Sequence, residues 1–359
     1  MNFSAGMYPV SHASVFDMEK EGFHVWCGTM TRGDDGKYYL YFSFWPKKFG
    51  HDAWVTHSQV GYAVSDRPAG PFRYAGIALS GSGGNGWDRD VIHNPSVIKF
   101  KGKYYLYYMG NYGNGTFWDH RNHQRIGVAW AERPEGPWHR SEKPLIDVTP
   151  GAFDGLCTNN PTVSWDREDH FVMVYKAVSP DGPMPKGGAV TCGMAEADNP
   201  LGPFKRHPEP VMQNINAKPA ANAAARADEA TPEADWSVED PYIWYQDGCF
   251  RALAKDFHGN FTKAGPNTMA LLHSQDGIHW EEDAEHPLAF RREIRWTDGT
   301  VTPLDRMERP QLWLDENGIP RVLLCACMPD TGTQDCFNVQ IPCEIRQNAC
   351  VCGDKNDEK

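Results

Sequence analysis

Residues 93–111 read HNPSVIKFKGKYYLYYMGN. Two polar residues and a proline lead into an alternating run, the chain turns at Lys101-Gly102, and it returns through YYLYY. Alternation broken by a glycine turn is the pattern of a β-hairpin. Proline fixes its own φ and biases the residue before it toward extended backbone. Asn94 is therefore expected to point in one set direction at the start of its strand.

The same unit recurs. It appears as NNPTVSWDREDHFVMVYKA (159–177), EDPYIWYQDGCFRALAKDF (239–257) and ERPQLWLDENGIPRVLLCA (308–326). A version without the proline, VWCGTMTRGDDGKYYLYFSFW, occupies 25–45. A second motif trails the hairpins as SDRPAGPF, AERPEGPW and ADNPLGPF, placing Gly70, Gly136 and Gly202 at intervals of 66, the interval that also separates Asn94 from Asn160. HSQDGIHW (273–280) is a fourth copy. The step from Asn160 to Asp240 is 80 because an Ala-rich, Pro-punctuated stretch at about 207–236 reads as an inserted loop.

Five units thus start near residues 25, 94, 160, 240 and 309. Each holds enough alternating segments for four short strands, and helical periodicity is weak. Equal-period four-stranded units are the signature of a β-propeller. The expectation is an all-β, five-bladed propeller forming a single domain over 1–359, with a tail at 346–359. The first strand of each blade would line the central channel, so Asn94, Asn160, Asp240, Glu308 and Arg309 would ring one mouth of it. Asparagines capping strand ends would give the same pattern. Carboxylates brought together at Glu239, Asp240 and Glu308 repel one another, and a site that keeps them uses them.

Composition narrows the ligand. With 40% hydrophobic residues, 13 Trp, 14 Tyr and 17 Phe, the chain has ample material for a core. Its formal charge of −12 argues against nucleic acid or an anionic membrane as partner. No apolar run of membrane-spanning length and no secretory leader is visible, so the expectation is a cytoplasmic protein. Oligomeric state is not encoded in any readable feature. Ten cysteines include six between Cys325 and Cys352, but their Cys-x-Cys spacing is not that of a metal knuckle. The pair His120 and His123 in DHRNHQ reads as polar loop rather than as a ligand set. No cofactor and no protein metal site are expected; a structural cation in the central channel is the one ion with a place in the scheme.

The blade pattern, together with VEDPYIW and ERPQLW, resembles the five-bladed propeller glycoside hydrolases, specifically family 43-like and family 117 enzymes. The likeness runs over roughly 20–345. It implies a glycoside hydrolase acting on a small carbohydrate by carboxylate chemistry: one group protonates the leaving oxygen, and the other activates water or attacks carbon. The long Gly- and His-rich loops KKFGHDAWVTHS (47–58) and YGNGTFWDHRNHQ (112–124) are suited to shape a closed pocket, so the expectation is exo-action that removes a terminal sugar. The resemblance further implies that Asp240 orients and tunes the acid and that Glu308 is the acid, although family 117 places a histidine before that glutamate and this chain has Met307. Family 43 relatives carry their base on the first blade's inner strand, where this chain reads WCGT. The nearest substitutes are Asp88 and Asp90, with Asp90 preferred; Asp17 and Asp52 are more remote choices. The Asn-Asp-Pro-Asn-Gly opening of invertases is absent.

Sugar faces stack on aromatic rings and sugar hydroxyls need polar partners. Of Trp26, Trp45, Trp54, Trp87 and Trp118, the best placed by flanking loop residues are Trp45 and Trp118. His93, Asn94, Asn160, Glu239 and Arg309 complete the expected binding set. Two alternatives stay open. A glycoside phosphorylase would need a phosphate site, for which Arg89, Arg121, Arg125 and Arg309 are available. A non-catalytic carbohydrate-binding propeller would bind sugar and release nothing.

Overall fold

The computed structural model describes residues 1–166, 168–213, 238–330 and 332–346. The inserted loop from residue 214 to 237 and the tail from residue 347 lie outside the described residues. Five antiparallel sheets follow one another along the chain. Blade one comprises Phe23–Arg32, Tyr38–Pro46, Gln59–Ser65 and Arg73–Leu79. Blades two, three and four begin with Val91–Phe100, Cys157–Trp165 and Glu239–Gln246, each followed in order by its remaining strands. Blade five is assembled from both ends of the chain. Its strands Val301–Leu314, Pro320–Pro329 and Phe337–Pro342 receive Val15–Phe16 as an outer strand, with Val15 opposite Val339. A closed wheel of sheets leaves few exposed edges.

The second strand of each blade is apolar on both faces, as in YYLYF, YYLYY and VLLCAC, because each sheet is covered on both sides by its neighbours. The core is accordingly a set of layers, one between each adjacent pair of blades. Tyr41 and Leu106 mark the layer between blades one and two, Tyr107 and Met173 the next, then Val174 with Ala252, Leu253 with Leu323, and Leu324 with Leu40. Polar stitches repeat across the same boundaries. The Tyr41 hydroxyl donates to the Pro134 carbonyl at 2.5 Å, and one period later Tyr107 donates to Pro200 at 2.8 Å.

The polar-proline pairs are not ahead of the strands but inside them. In all five inner strands the ladder register breaks at the same place, between Trp26 and Thr29, His93 and Ser96, Asn159 and Thr162, Glu239 and Tyr242, and Glu308 and Gln311. Each break is a two-residue bulge. A bulge takes residues out of the hydrogen-bond ladder, so a proline without an N–H does no harm there. The first bulge residue has positive φ in every blade: Cys27 54°, Asn94 51°, Asn160 52°, Asp240 50° and Arg309 53°. Asn and Asp enter this left-handed region more readily than other non-glycine residues, and Cys and Arg do not. Something must hold the latter two.

Candidate active site

What holds them is a ring of side chains around the wheel's axis. The Cys27 thiol donates to Asn94 Oδ1 at 2.5 Å, Asn94 Nδ2 donates to Asn160 Oδ1 at 2.5 Å, and Asn160 Nδ2 donates to Asp240 Oδ1 at 2.5 Å. Arg309 places Nη1 3.2 Å from the same Asp240 oxygen and closes the circuit back to Cys27. One residue from each blade contributes, and all five are buried. Burial pushes the Cys27 thiol well above its ordinary range, against the pull of Arg309, so it sits in the ring as a neutral donor. Burial disfavours the Arg309 cation, but Asp240 and Cys27 together outweigh it and hold its pKa above the usual value.

This ring is the floor of the cleft, and it changes the reading of several residues. Asn94, Asn160, Asp240 and Arg309 border the cavity, yet the first three spend polar groups on one another and Arg309 is ion-paired with Asp240, its Nε and Nη1 buried without a hydrogen-bond partner. The residue before each of them forms the tier above: Trp26, His93, Asn159, Glu239 and Glu308, all lining a cavity of about 170 Å³. Glu239 and Glu308 are therefore the carboxylates that face the space, with Asp240 as their support beneath. Asp52, on the loop after blade one's second strand, is the other carboxylate of the lining.

Two lysines complete the tier. Lys176 stands opposite Asn159 in blade three's hairpin but bonds Glu239 Oε1 of blade four. Lys255 stands opposite Glu239 in blade four but places Nζ 2.8 Å from Glu308 Oε1 of blade five, and 3.5 Å from Glu239 Oε2. Each lysine thus leans one blade onward. The two glutamates share one ammonium, so their nearest oxygens are separated by no more than the sum of those two lengths. Sequence reasoning missed both lysines. The signal was present: VYKAV and LAKDF put a lysine at one register position in two strands that are otherwise apolar there.

Asp90 does not line the cleft. Its Oδ2 accepts from the Gly113 N–H at 2.9 Å and Oδ1 lies 3.8 Å from Arg89, so it fastens a loop. Asp88 is buried among Ser82, Tyr108 and Arg140, an arrangement repeated one period on by Asp154 with Tyr175 and Arg206. That repetition marks a scaffold device. Asp17 is an exposed turn acceptor for the Glu19 N–H.

The aromatic wall also differs from expectation. Trp45 borders the cavity but is fully buried in its wall and offers no open face; it packs edge-on against His51 and His93 and tilted against His24. Trp54 takes that place, half-buried and stacked on His93 at 4.8 Å. Trp118 lines the cleft as expected, with the Arg121 guanidinium 5.6 Å from its ring. His93 is buried and its Nδ1 pairs with Ser58 Oγ at 2.8 Å; burial, then Arg309 and His51, hold its pKa well below the usual value, so it is neutral. His120 is likewise lowered by burial and accepts from the Gly115 N–H while bonding Asn111. Asn159 and Gln124 bond each other at 2.5 Å, leaving Asn159 Oδ1 and Gln124 Nε2 buried in the lining without a partner. The eight described cysteines are buried free thiols, and no group of metal-binding side chains forms among the described residues.

No protein-family model and no curated protein sequence matches the chain. Solved structures do. A family 117 glycoside hydrolase from the marine bacterium Zobellia galactanivorans superposes with a TM-score of 0.61 at 18% identity, over 96% of this chain and 94% of that one. A thermostable family 43 glycoside hydrolase gives 0.60 at 14%, over 96% and 98%. An exo-1,5-α-L-arabinanase from a bovine ruminal metagenomic library gives 0.57 at 14%, over 92% and 94%. At these identities the likeness establishes architecture: the chain has the five-bladed propeller fold found in glycoside hydrolases of families 43 and 117.

Proposed function

We propose that this protein hydrolyses glycosidic bonds, removing a terminal sugar, with Glu239 and Glu308 as the carboxylate pair. The observation that carries this is their shared ammonium. Both glutamates face one small cavity, and Lys255 touches both. Glycoside hydrolysis needs one carboxyl to deliver a proton to the leaving oxygen while another supports positive charge or activates water. Glu239 carries its charge between two ammonium groups, which suits the second role. Glu308 takes Lys255 as an ammonium partner and is the proton donor in this reading. A cation shared by two carboxylates lets one of them take a proton without stranding the cation, because Lys255 can then pair with Glu239 alone. Asp240 acts from below by fixing the strand that carries Glu239.

The remaining lining fits a single sugar. Trp54 and Trp118 supply apolar faces, and Asn159 Oδ1 and Gln124 Nε2 are buried polar atoms for which ligand hydroxyls would be partners. A cavity of this small volume favours attack at a chain end. Phosphorolysis keeps one supporting observation, because Arg121 lines the cleft. Arg89 instead lies over Tyr112, Arg125 is bonded to Asp147, and Arg309 is committed to the ring.

The test is release of sugar from oligosaccharide panels by wild type, Glu239→Gln and Glu308→Gln, with and without inorganic phosphate. Each variant should lose about a hundredfold or more in turnover, the scale for an acid–base group, while still binding the sugar that wild type releases. Near-normal release by both variants removes this assignment.

A further inference from the structure

We infer that Gln124 and Asn159 set the specificity of this cleft by reading an unsubstituted hydroxyl edge of the terminal sugar, one hydroxyl or two neighbouring ones that donate to Asn159 and accept from Gln124. This rests on the reading of the cleft as a sugar site and deepens it by naming what the sugar must carry. The pair belongs to a repeated joint between blades. Ser58, Gln124 and Val190 head the third strands of blades one, two and three, Gln59–Ser65, Arg125–Ala131 and Val190–Ala197. Their register is the same: Val60, Ile126 and Cys192, two residues on, stand opposite Ser43, Met109 and Lys176. The first two joints also share a backbone bond, from the Ile92 N–H to the Ser58 carbonyl at 3.2 Å and from the Thr158 N–H to the Gln124 carbonyl at 3.3 Å. In side chains they differ. Ser58 Oγ meets His93 Nδ1 at 2.8 Å, Gln124 Oε1 accepts from Asn159 Nδ2 at 2.5 Å, and Val190 packs with Cys157 and Val178. The fold thus accepts a serine or a valine at this position, and the glutamine is not a demand of the blade joint.

What the two amides leave over decides their role. Asn159 Oδ1 and Gln124 Nε2 are buried in the cavity lining with no hydrogen-bond partner among the described residues, and the residues that carry them are 5% and 2% exposed. The other contact of the Asn159 amide is a long one, from Nδ2 to Cys157 Sγ at 3.9 Å. Lys176, opposite Asn159 in its hairpin, bonds Glu239. A buried acceptor beside a buried donor, each unmet, is unfavourable until a ligand meets both. Turning both amides over would exchange oxygen for nitrogen in each and again leave one acceptor and one donor, so the pattern does not depend on their orientation. That pattern selects among sugar substituents. A hydroxyl donates and accepts, and it turns its proton to suit. An ionised carboxylate only accepts and an ammonium only donates. The planar trans amide of an acetamido group points its N–H and C=O in opposite directions, so it too fails to serve two neighbouring atoms at once.

The experiment uses the full-length protein and nitrophenyl glycosides of pentoses and hexoses, each beside its monodeoxy, monofluoro and monoamino counterparts, with calorimetric titration of the corresponding free sugars. For the glycoside that wild type cleaves best, deoxygenation at one ring position should lower kcat/KM by about a hundredfold or more, as expected where a site built for a hydroxyl is left unpaired. The fluoro analogue at that position cannot donate and should recover little of the loss. Gln124→Val, which installs the side chain that blade three holds at this position, should shrink the deoxy penalty to about tenfold or less. Gln124→Glu keeps the bond from Asn159 Nδ2 and turns the free donor into an acceptor, so the amino analogue should gain on the hydroxyl parent. A deoxy penalty equal in wild type and both variants, with only thermal stability altered, makes the pair a structural joint and overturns the inference. Absence of any ring position with such a penalty in wild type overturns it as well. If no glycoside is cleaved, the hydrolytic reading falls alone when free sugars still show the penalty in wild type and its loss in Gln124→Val; both fall when no sugar binds.

Discussion

Lys255 grows from blade four and neutralises Glu308 of blade five, although the residue opposite it in its own hairpin is Glu239. The ammonium therefore ties two sheets together as well as two acids. Removing one partner of a buried ion pair leaves an uncompensated charge and costs about 3–5 kcal/mol. Lys255→Met is expected to lower stability by an amount at the low end of that range, since Lys176 still serves Glu239. Urea unfolding of Lys255→Met, Glu308→Gln and the double variant checks this. A double variant no more stable than the sum of the singles would show that the two residues are not coupled.

The ring predicts an asymmetry between its members. Asp240→Asn removes the charge that matches Arg309, which is 2% exposed, and is expected to destabilise the fold by about 3–5 kcal/mol. Cys27→Ser keeps a neutral donor toward Asn94 and should cost about 1 kcal/mol or less, on the scale of one hydrogen bond. Denaturant midpoints measured side by side decide it. Equal losses would mean that the ring is packing and not charge.

Trp45 and Trp54 should separate stability from binding. Trp45→Ala empties a fully buried site and should cost about 3–5 kcal/mol. Trp54→Ala removes a half-buried face at the cleft and should weaken binding of the released sugar by about tenfold, with a smaller loss of stability. Thermal melts and calorimetric titration of both variants are the measurements. Unchanged sugar affinity in Trp54→Ala would move the stacking platform elsewhere.

Acid should weaken the fold through two histidines. His24 is lowered to about 4, by burial first and then by His51 and Lys47, and burial holds His93 well below its usual value. Both are neutral in the folded chain, whereas the unfolded chain takes up protons below about 6.5. Their contribution is complete above that value and declines as pH falls toward the folded pKa. His24→Asn and His93→Asn are each expected to flatten the loss of urea stability between pH 6.5 and 4. An unaltered slope in both variants would assign the acid sensitivity to other groups.

The five blades were legible because the period of 66 is a property of chain length per four-stranded unit, which no local packing detail disturbs. Bringing Asp240 and Glu308 to one cleft followed from that period alone. Which of two adjacent residues faces the space did not, because alternation fails at a bulge: Asp240 drops into the ring and Glu239 rises into the lining. Trp45 was mistaken for the stacking platform for a related reason. Trp54 sits on a short helical turn, Trp54–His57, where strand alternation says nothing about direction. Cys27 completes the ring at WCGT, the position where the family resemblance implies a carboxylate and none was found.

Val15–Phe16 completes a sheet whose other strands run from Glu293 onward. During synthesis, Val15–Phe16 must wait, unpaired, until Phe337–Pro342 leave the ribosome. Until that meeting the sheet that carries Glu308 lacks its outer strand. Cutting the chain shortly after Phe16 should therefore disable the centre without touching a residue that lines it.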